Sequence, residues 1–263
     1  MDTNYIYGRN AVIEALQSGK AIEKIMLAFG NQGSAVSRIF KLAKDNGVSC
    51  VTYDKGKFSR LERDIFGAEN KNEGNIQKSQ GVIALLRPFE VLELDMFLAQ
   101  DFEDYKNPIV ILLDEITDPH NLGAIARSAE CAGAIGLIMT ERNSAPLSPA
   151  AIKASAGALE HIPVVKVGNL VSAIEKLKEV GFWIVGTDGE GTNNYTDSIY
   201  NCPVALVIGS EGKGMRPSVV KHCDFLVKIP MIGQINSLNA SVSAGVVLFE
   251  ILRQNREAAN ASK

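Results

Sequence analysis

The chain has 263 residues, 46% of them hydrophobic and 22% charged, an ordinary globular mix that excludes wholesale disorder. At about 100–200 residues per domain it makes one large domain or two smaller ones, and no apolar run in it reaches the 18 or so residues of a membrane helix. Net charge is −3, yet residues 1–80 carry 12 Lys+Arg against 9 Asp+Glu, net +3, while the remainder carries 15 against 21, net −6. The N-terminal residues lack a basic patch followed by an apolar stretch, so no secretory signal is expected. Cys50, Cys131, Cys202 and Cys223 form no CxxC pair, so neither structural zinc nor a disulfide framework is expected and a cytoplasmic location fits.

Taken in chain order, the first part reads as a small α/β unit. Gly8-Arg9-Asn10 leads into an apolar helical pattern, Ala11–Leu16, closed by Ser18-Gly19. Ile22–Ala28 is strand-like. Ser34–Asn46 is an amphipathic helix with Val36, Ile39, Phe40 and Ala43 at helical spacing, and Val48–Tyr53 is a second strand. Residues 66–80 are polar and rich in Gly and Asn, as a loop would be. Gly81–Leu86 is a strand, and the acidic stretch up to Asn107-Pro108 reads as a connection between domains.

From residue 109 short apolar runs alternate with helical segments. The runs are Ile109–Leu113, Gly136–Met139, Ile162–Val167, Phe182–Thr187, Val204–Ile208 and Phe225–Ile229, with helices expected at 121–132, 149–158 and 169–180. Continuous apolar strands separated by helices predict a parallel sheet covered on both faces, an open doubly wound α/β domain. Ligands of such sheets bind beyond the carboxyl ends of the strands. The known nucleotide fingerprints fail there. Gly189-Glu190-Gly191 lacks the third glycine of GxGxxG, and Gly212-Lys213 is followed by Gly214 rather than Ser or Thr.

Three polar constellations follow separate strands. The first, Asp118 to Arg127, places Asn121 and Arg127 nearly two helical turns apart near a helix start, which suits a phosphate or a ribose. A capped helix with a salt-bridging Arg has the same pattern. The second, Ile208 to Met215, has glycines at 209, 212 and 214 that permit close approach of a ligand to the main chain, or simply a tight turn, with Glu211 between them. The third, Ile229 to Gly245, runs through Ser237-Leu238-Asn239 into a helix that begins with small residues.

In this order, each after a strand, the three resemble the motifs of the SpoU (TrmH) family of RNA ribose 2′-O-methyltransferases: Asn121 and Arg127 the first, Gly209 to Gly214 the second, Ile229-Pro230-Met231 through Ser237-Leu238-Asn239 the third. The resemblance implies a SPOUT domain over residues 108–256, an α/β fold with a deep trefoil knot and a parallel sheet. Residues 81–107 would be a strand and linker, and residues 1–80, opening on Tyr7-Gly8-Arg9-Asn10, look like the family's L30e-like RNA substrate-binding domain. This layout is most similar to the 23S rRNA guanosine 2′-O-methyltransferase branch.

The resemblance further implies S-adenosyl-L-methionine as cofactor, held at Thr187, Gly189, Gly209, Ile229, Met231 and Leu238, and a homodimer, with no metal and no membrane partner. Arg127 matches the family's catalytic residue. A guanidinium is a poor base, so Arg127 is expected to bind the phosphate beside the target ribose while Asn121, Glu211, Ser237 and Asn239 orient it; His120 is the first alternative base. His161 and His222 are expected to be structural. Arg9, Lys20, Lys24 and Arg38 are candidate phosphate contacts to large-subunit rRNA. A tRNA-directed or adenosine-directed enzyme, a catalytically silent ribosome assembly factor, and a nucleotide-dependent oxidoreductase are the alternatives. The failed glycine fingerprint speaks against the last.

Overall fold

The computed structural model describes residues 5–17, 22–66, 79–87, 89–102, 105–234 and 236–261. The chain forms two compact units, divided between Phe89 and Glu90.

In the first unit β1 (Tyr5–Tyr7), β2 (Ile22–Ala28), β3 (Ser49–Tyr53) and β4 (Val82–Leu86) form one sheet in the order β1-β4-β2-β3. β4 runs antiparallel to β1 and β2, and β2 runs parallel to β3. On one face α1 (Arg9–Gln17) and α2 (Ser34–Asp45) bury Val12, Leu16, Val36, Ile39 and Ala43 with Ile25, Leu27 and Val82. The expected apolar stripe of α2 is narrower than its spacing suggests, because Phe40 is exposed. The opposite face holds a helix the sequence pattern had not marked, α3 (Lys55–Phe66), whose Phe58 packs with Met26 and Ile83. The Asp54 carboxylate caps it, accepting from the Lys57 N–H at 2.9 Å, and that bond holds its carboxyl below the usual carboxylate range. Ser18-Gly19 and most of the expected loop, residues 67–78, lie outside the described residues.

The second unit is built on seven parallel strands in the order β7-β6-β5-β10-β8-β11-β9. They are β5 (Ile109–Asp114), β6 (Gly136–Thr140), β7 (Val164–Val167), β8 (Trp183–Thr187), β9 (Asn193–Asn194), β10 (Val204–Gly209) and β11 (Phe225–Lys228). The expected parallel α/β sheet is present, and the six apolar runs are six of its strands. β5 and β10 are buried along their whole length, as central strands covered on both faces are. Val110, Leu112, Ala205 and Val207 pack with Leu170, Ala173, Ile174 and Leu177 of α7 (Leu170–Glu179), which Asn169 caps by accepting from the Val171 N–H at 2.9 Å. A short helix, α8 (Pro217–Val220), follows β10, and α5 (Pro119–Cys131) and α9 (Ala240–Ala261) pack on each other, with α9 also packing on β10.

The stretch expected as a strand and linker is shared between the units. β4 completes the first sheet, whereas Leu92 bridges to Val165 and α4 (Leu94–Leu98) packs into the second core. The ring of Phe97 occupies the space where a side chain at Gly136 would sit. The helix expected over 149–158 is broken in two: α6 (Pro149–Ala154) and a 3-10 turn, Ala158–Glu160. Ala156 and Gly157 between them are left-handed, at φ 50 and 93, and Ser155 spans the break, donating to the Ile152 carbonyl at 2.8 Å and accepting from the Leu159 N–H at 3.3 Å.

Candidate active site

The strand order brings the carboxyl ends of β5, β10, β8 and β11 side by side, with Gly209 paired to Asp114 and Val227 paired to Thr187. Chain order runs outward from β5 to β7 and then returns to β8, with β10 inserted between β5 and β8. Such a reversal leaves a crevice beyond the strand ends. The segments 115–118, 188–192, 210–216, 229–234 and 236–239 leave the sheet there.

Segment 210–216 folds back on itself. Ser210 and Gly214 exchange backbone N–H to carbonyl bonds at 3.0 and 2.9 Å, with Gly212 at φ 84 and Gly214 at φ 68, where only glycine is comfortable. A side chain at Gly209 would collide with the backbone of Gly214 and Met215, so at that position the close approach is made by the loop itself. At the far end a fully buried carboxylate fastens it. Asp114, the last residue of β5, accepts from the Arg216 backbone N–H at 2.7 Å and from its Nε–H at 2.7 Å. The sequence reading missed this pair. Its signal is a charge closing an otherwise wholly apolar strand, Ile109-Val110-Ile111-Leu112-Leu113-Asp114.

The loop thus fixed presents Glu211 to the starts of two helices. Asp118 caps α5 by accepting from the His120 N–H at 3.1 Å, with Pro119 in the first turn, and this sets Asn121 at the mouth of the crevice. Asn239 precedes α9, and its Oδ1 accepts from the Ser241 N–H at 2.8 Å and the Ser241 hydroxyl at 2.6 Å. Its Nδ2 donates to Asn121 Oδ1 at 2.9 Å and to Glu211 Oε2 at 3.2 Å, and Asn121 Nδ2 donates to the same Oε2 at 3.4 Å. One residue from each of the three constellations therefore meets in a single hydrogen-bonded group. Ser241, which the sequence reading passed over, belongs to it.

Other expected residues stand around this group. Arg127 is exposed on α5 and has no hydrogen bond or ion pair among the described residues, so the salt-bridged alternative does not apply to it there. His120 is exposed beside Asn121, whereas His222 lies far along the fold, bonded through Nδ1 to the Ser218 carbonyl at 2.7 Å. Ser237 is exposed and outside the hydrogen-bonded group. Thr187 donates to the Val207 carbonyl at 3.3 Å across the adjacent strand ends. A side chain at Gly189 would meet open space, unlike one at Gly191, which would strike the Leu226 carbonyl. Ile229 is half-buried, and Met231 and Leu238 are exposed apolar side chains on the segment beyond β11. The small-residue start of α9 admits α5 of the same unit, with Ser128 Oγ 3.5 Å from where a Cβ of Gly245 would lie.

Residues 108–249 match the model of the SpoU rRNA Methylase family. The chain belongs to that family. Residues 5–65 match the RNA 2'-O ribose methyltransferase substrate binding model. The SpoU match spans Asn121, Arg127, Glu211 and Asn239, and the substrate-binding match spans Arg9, Lys24 and Arg38. A Bacillus subtilis protein named for the TrmH family of tRNA/rRNA methyltransferases is 40% identical over 251 residues, 95% of this chain and 96% of that one. An S-adenosylmethionine-bound rRNA methyltransferase from Sinorhizobium meliloti superposes with a TM-score of 0.61 at 26% identity, covering 95% of this chain and 86% of that one. The SpoU methyltransferase AviRb from Streptomyces viridochromogenes shares the fold at a TM-score of 0.64 and 24% identity, covering 96% and 90%. SpoU enzymes are S-adenosylmethionine-dependent RNA methyltransferases.

Proposed function

We propose that the chain transfers a methyl group from S-adenosylmethionine to the ribose 2′-OH of a guanosine in 23S rRNA, in the cytoplasm. The convergence of Asn121, Glu211 and Asn239 at the strand ends, with Arg127 on the same helix as Asn121 and without a partner among the described residues, carries this assignment. The residues present fit the cofactor. Open space beside Gly189, next to Thr187, leaves room for its adenosine end, with Ile229, Met231 and Leu238 as the remaining walls, while Gly209, packed against its own loop, shapes that loop rather than the pocket.

When bound, S-adenosylmethionine supplies an electrophilic sulfonium methyl. Arg127 binds the phosphate beside the target ribose and offsets negative charge developing on the 2′-oxygen. Asn121 and Asn239 donate to one oxygen of Glu211, fixing its carboxylate so that the other oxygen faces the incoming ribose. Ser237 completes the rim and orients the sugar. Holding the hydroxyl in line supplies much of the barrier reduction such a transfer needs. Loss of turnover by His120→Ala with RNA and cofactor binding intact would assign the proton of the 2′-OH to His120.

Arg9, Lys24 and Arg38 are the RNA phosphate contacts of the first unit; Lys20, the fourth candidate, lies outside the described residues. Large-subunit rRNA is the partner in this proposal, and a second copy of the chain covers the exposed Val242 and Phe249 of α9. The knotted form of the SPOUT sheet belongs to the same proposal, supported by the insertion of β10 between β5 and β8.

Incubation of the chain with methyl-labelled S-adenosylmethionine and unmodified total RNA, followed by mapping of the label, tests the proposal. The expected result is label on one ribose of large-subunit rRNA, with loss of about 100-fold or more in turnover for Arg127→Ala and an unchanged cofactor affinity. Label in tRNA would keep the chemistry and overturn the substrate. Full turnover by Arg127→Lys would remove Arg127 from the role given to it. Cofactor binding without label on naked RNA or on ribosomal precursors would leave the silent assembly factor.

A further inference from the structure

The first unit carries a shallow, largely open cavity of about 610 Å³ lined by Arg9, Phe29, Gly30, Asn31, Gln80 and Gly81. It lies where β2 ends and β4 begins. Three left-handed residues shape its rim, Gly30 at φ 82, Gln80 at φ 51 and Gly81 at φ 71. Gln80 is the costly one, since a side chain at positive φ is uncommon and marks a conformation the surroundings hold in place. The Asn31 side chain does the holding: its Nδ2 donates to the carbonyls of Gln80 and Gly81, each at 2.9 Å, and a side chain at Gly81 would strike it.

Three groups are left facing outward from this braced rim. Phe29 is 70% exposed, with no aromatic partner among the described residues. Arg9 donates through Nη2 to Asn31 Oδ1 and through Nε to the Gln80 carbonyl at 3.4 Å, which fixes the guanidinium and leaves Nη1 without a partner among the described residues. Gln80 accepts through Oε1 from the Arg9 N–H at 3.2 Å, so its Nε2 carries two N–H donors with no partner among the described residues. An exposed aromatic ring, a fixed guanidinium and a fixed amide donor within one concavity match three parts of one molecule: a flat base, a phosphate and an acceptor on the base edge.

We propose that this cavity is a subsite for one unpaired RNA nucleotide, its base stacked on Phe29, its phosphate on Arg9 and its base edge on Gln80. The subsite presupposes the RNA-directed activity proposed above, and narrows it to a substrate with a bulged or looped-out nucleotide. A continuous duplex offers phosphates but keeps its bases stacked inside, so it cannot use Phe29.

Titration of the full chain with a labelled single strand of about 12 nucleotides and with the matching duplex tests the subsite. Phe29→Ala is expected to weaken single-strand binding about ten-fold and to leave duplex binding and the melting temperature unchanged, since the ring is exposed. Phe29→Trp is expected to keep single-strand affinity and to gain a tryptophan signal that the single strand quenches and the duplex does not. Arg9→Gln is expected to flatten the dependence of log affinity on log salt by about 0.7 for the single strand. Unchanged single-strand binding by Phe29→Ala, or an equal loss on both RNAs, would overturn the subsite alone. Failure of the unaltered chain to bind either RNA would overturn the RNA-directed activity itself.

Discussion

The pair formed by Asp114 and Arg216 offers the sharpest test of how the site is held. Replacing Arg216 with Met leaves a fully buried carboxylate with one donor, the backbone N–H of residue 216 at 2.7 Å. Removing one partner of a buried ion pair costs about 3–5 kcal/mol. Two features reduce that figure: the retained charged hydrogen bond, and the 38% exposure of the Arg216 side chain, which is already partly solvated. About 2–3 kcal/mol remains, equivalent to a fall of about 4–12 °C in the melting temperature of a unit of this size. Calorimetry resolves it, provided the two units are followed as separate transitions. The paired change Asp114→Leu with Arg216→Met removes the buried charge as well, so it is expected to recover most of the stability. It is not expected to recover methyl transfer, because the loop presenting Glu211 has lost its anchor. A melting temperature within about 1 °C of the unaltered chain for Arg216→Met would refute the bracing role.

Gly189→Leu fills space that is open in the fold, so it is expected to leave stability within about 0.5 kcal/mol while weakening S-adenosylmethionine binding ten-fold or more, read by calorimetric titration. Asn239→Ala removes both a helix cap and two donors to the cluster; about 1 kcal/mol of stability is expected to go, with a far larger loss of turnover, measured by denaturation and by label transfer. Alkylation of the native chain is expected to mark exposed Cys131 first and Cys223 last, since burial pushes the Cys223 thiol up to about 12. The same shift makes stability fall as pH rises from about 9 to about 12, because the unfolded chain releases that proton first; peptide mapping and alkaline denaturation read the two effects.

Much of the second unit was legible because buried parallel strands are continuous apolar runs, and Ile109–Leu113 and Val204–Ile208 have strand length. Their order was not legible. Nothing local in Val204–Gly209 says that it inserts between β5 and β8, because that placement is decided by pairing between distant segments. α3 escaped notice because Phe58 is the one fully buried residue among twelve, so its stripe is faint. β1 has three residues and α4 five, too short for a period to show. At the site, the resemblance named Asn121, Glu211, Ser237 and Asn239 together, but no local feature of the sequence says that Asn121, Glu211 and Asn239 share hydrogen bonds while Ser237 stands outside them. Asp114 was overlooked because a carboxylate ending an apolar strand looks like ordinary punctuation until its donor, 102 residues away, is brought to it.

The central position of β10 also governs how the chain can be made. β5 pairs on one side with β6 and on the other with β10, where Ile109 meets Val204. A ribosome synthesising this unit therefore completes β5, β6 and β7 long before the strand that closes the open side of β5 exists. Until then a strand edge that is apolar up to its final residue, Asp114, stands unpaired, the kind of edge that recruits other chains. Such distant pairing is slow to form. The middle of the sheet, and with it the crevice, is among the last parts of the unit to assemble, and nascent chains that stop short of Val204 are the species most exposed to aggregation.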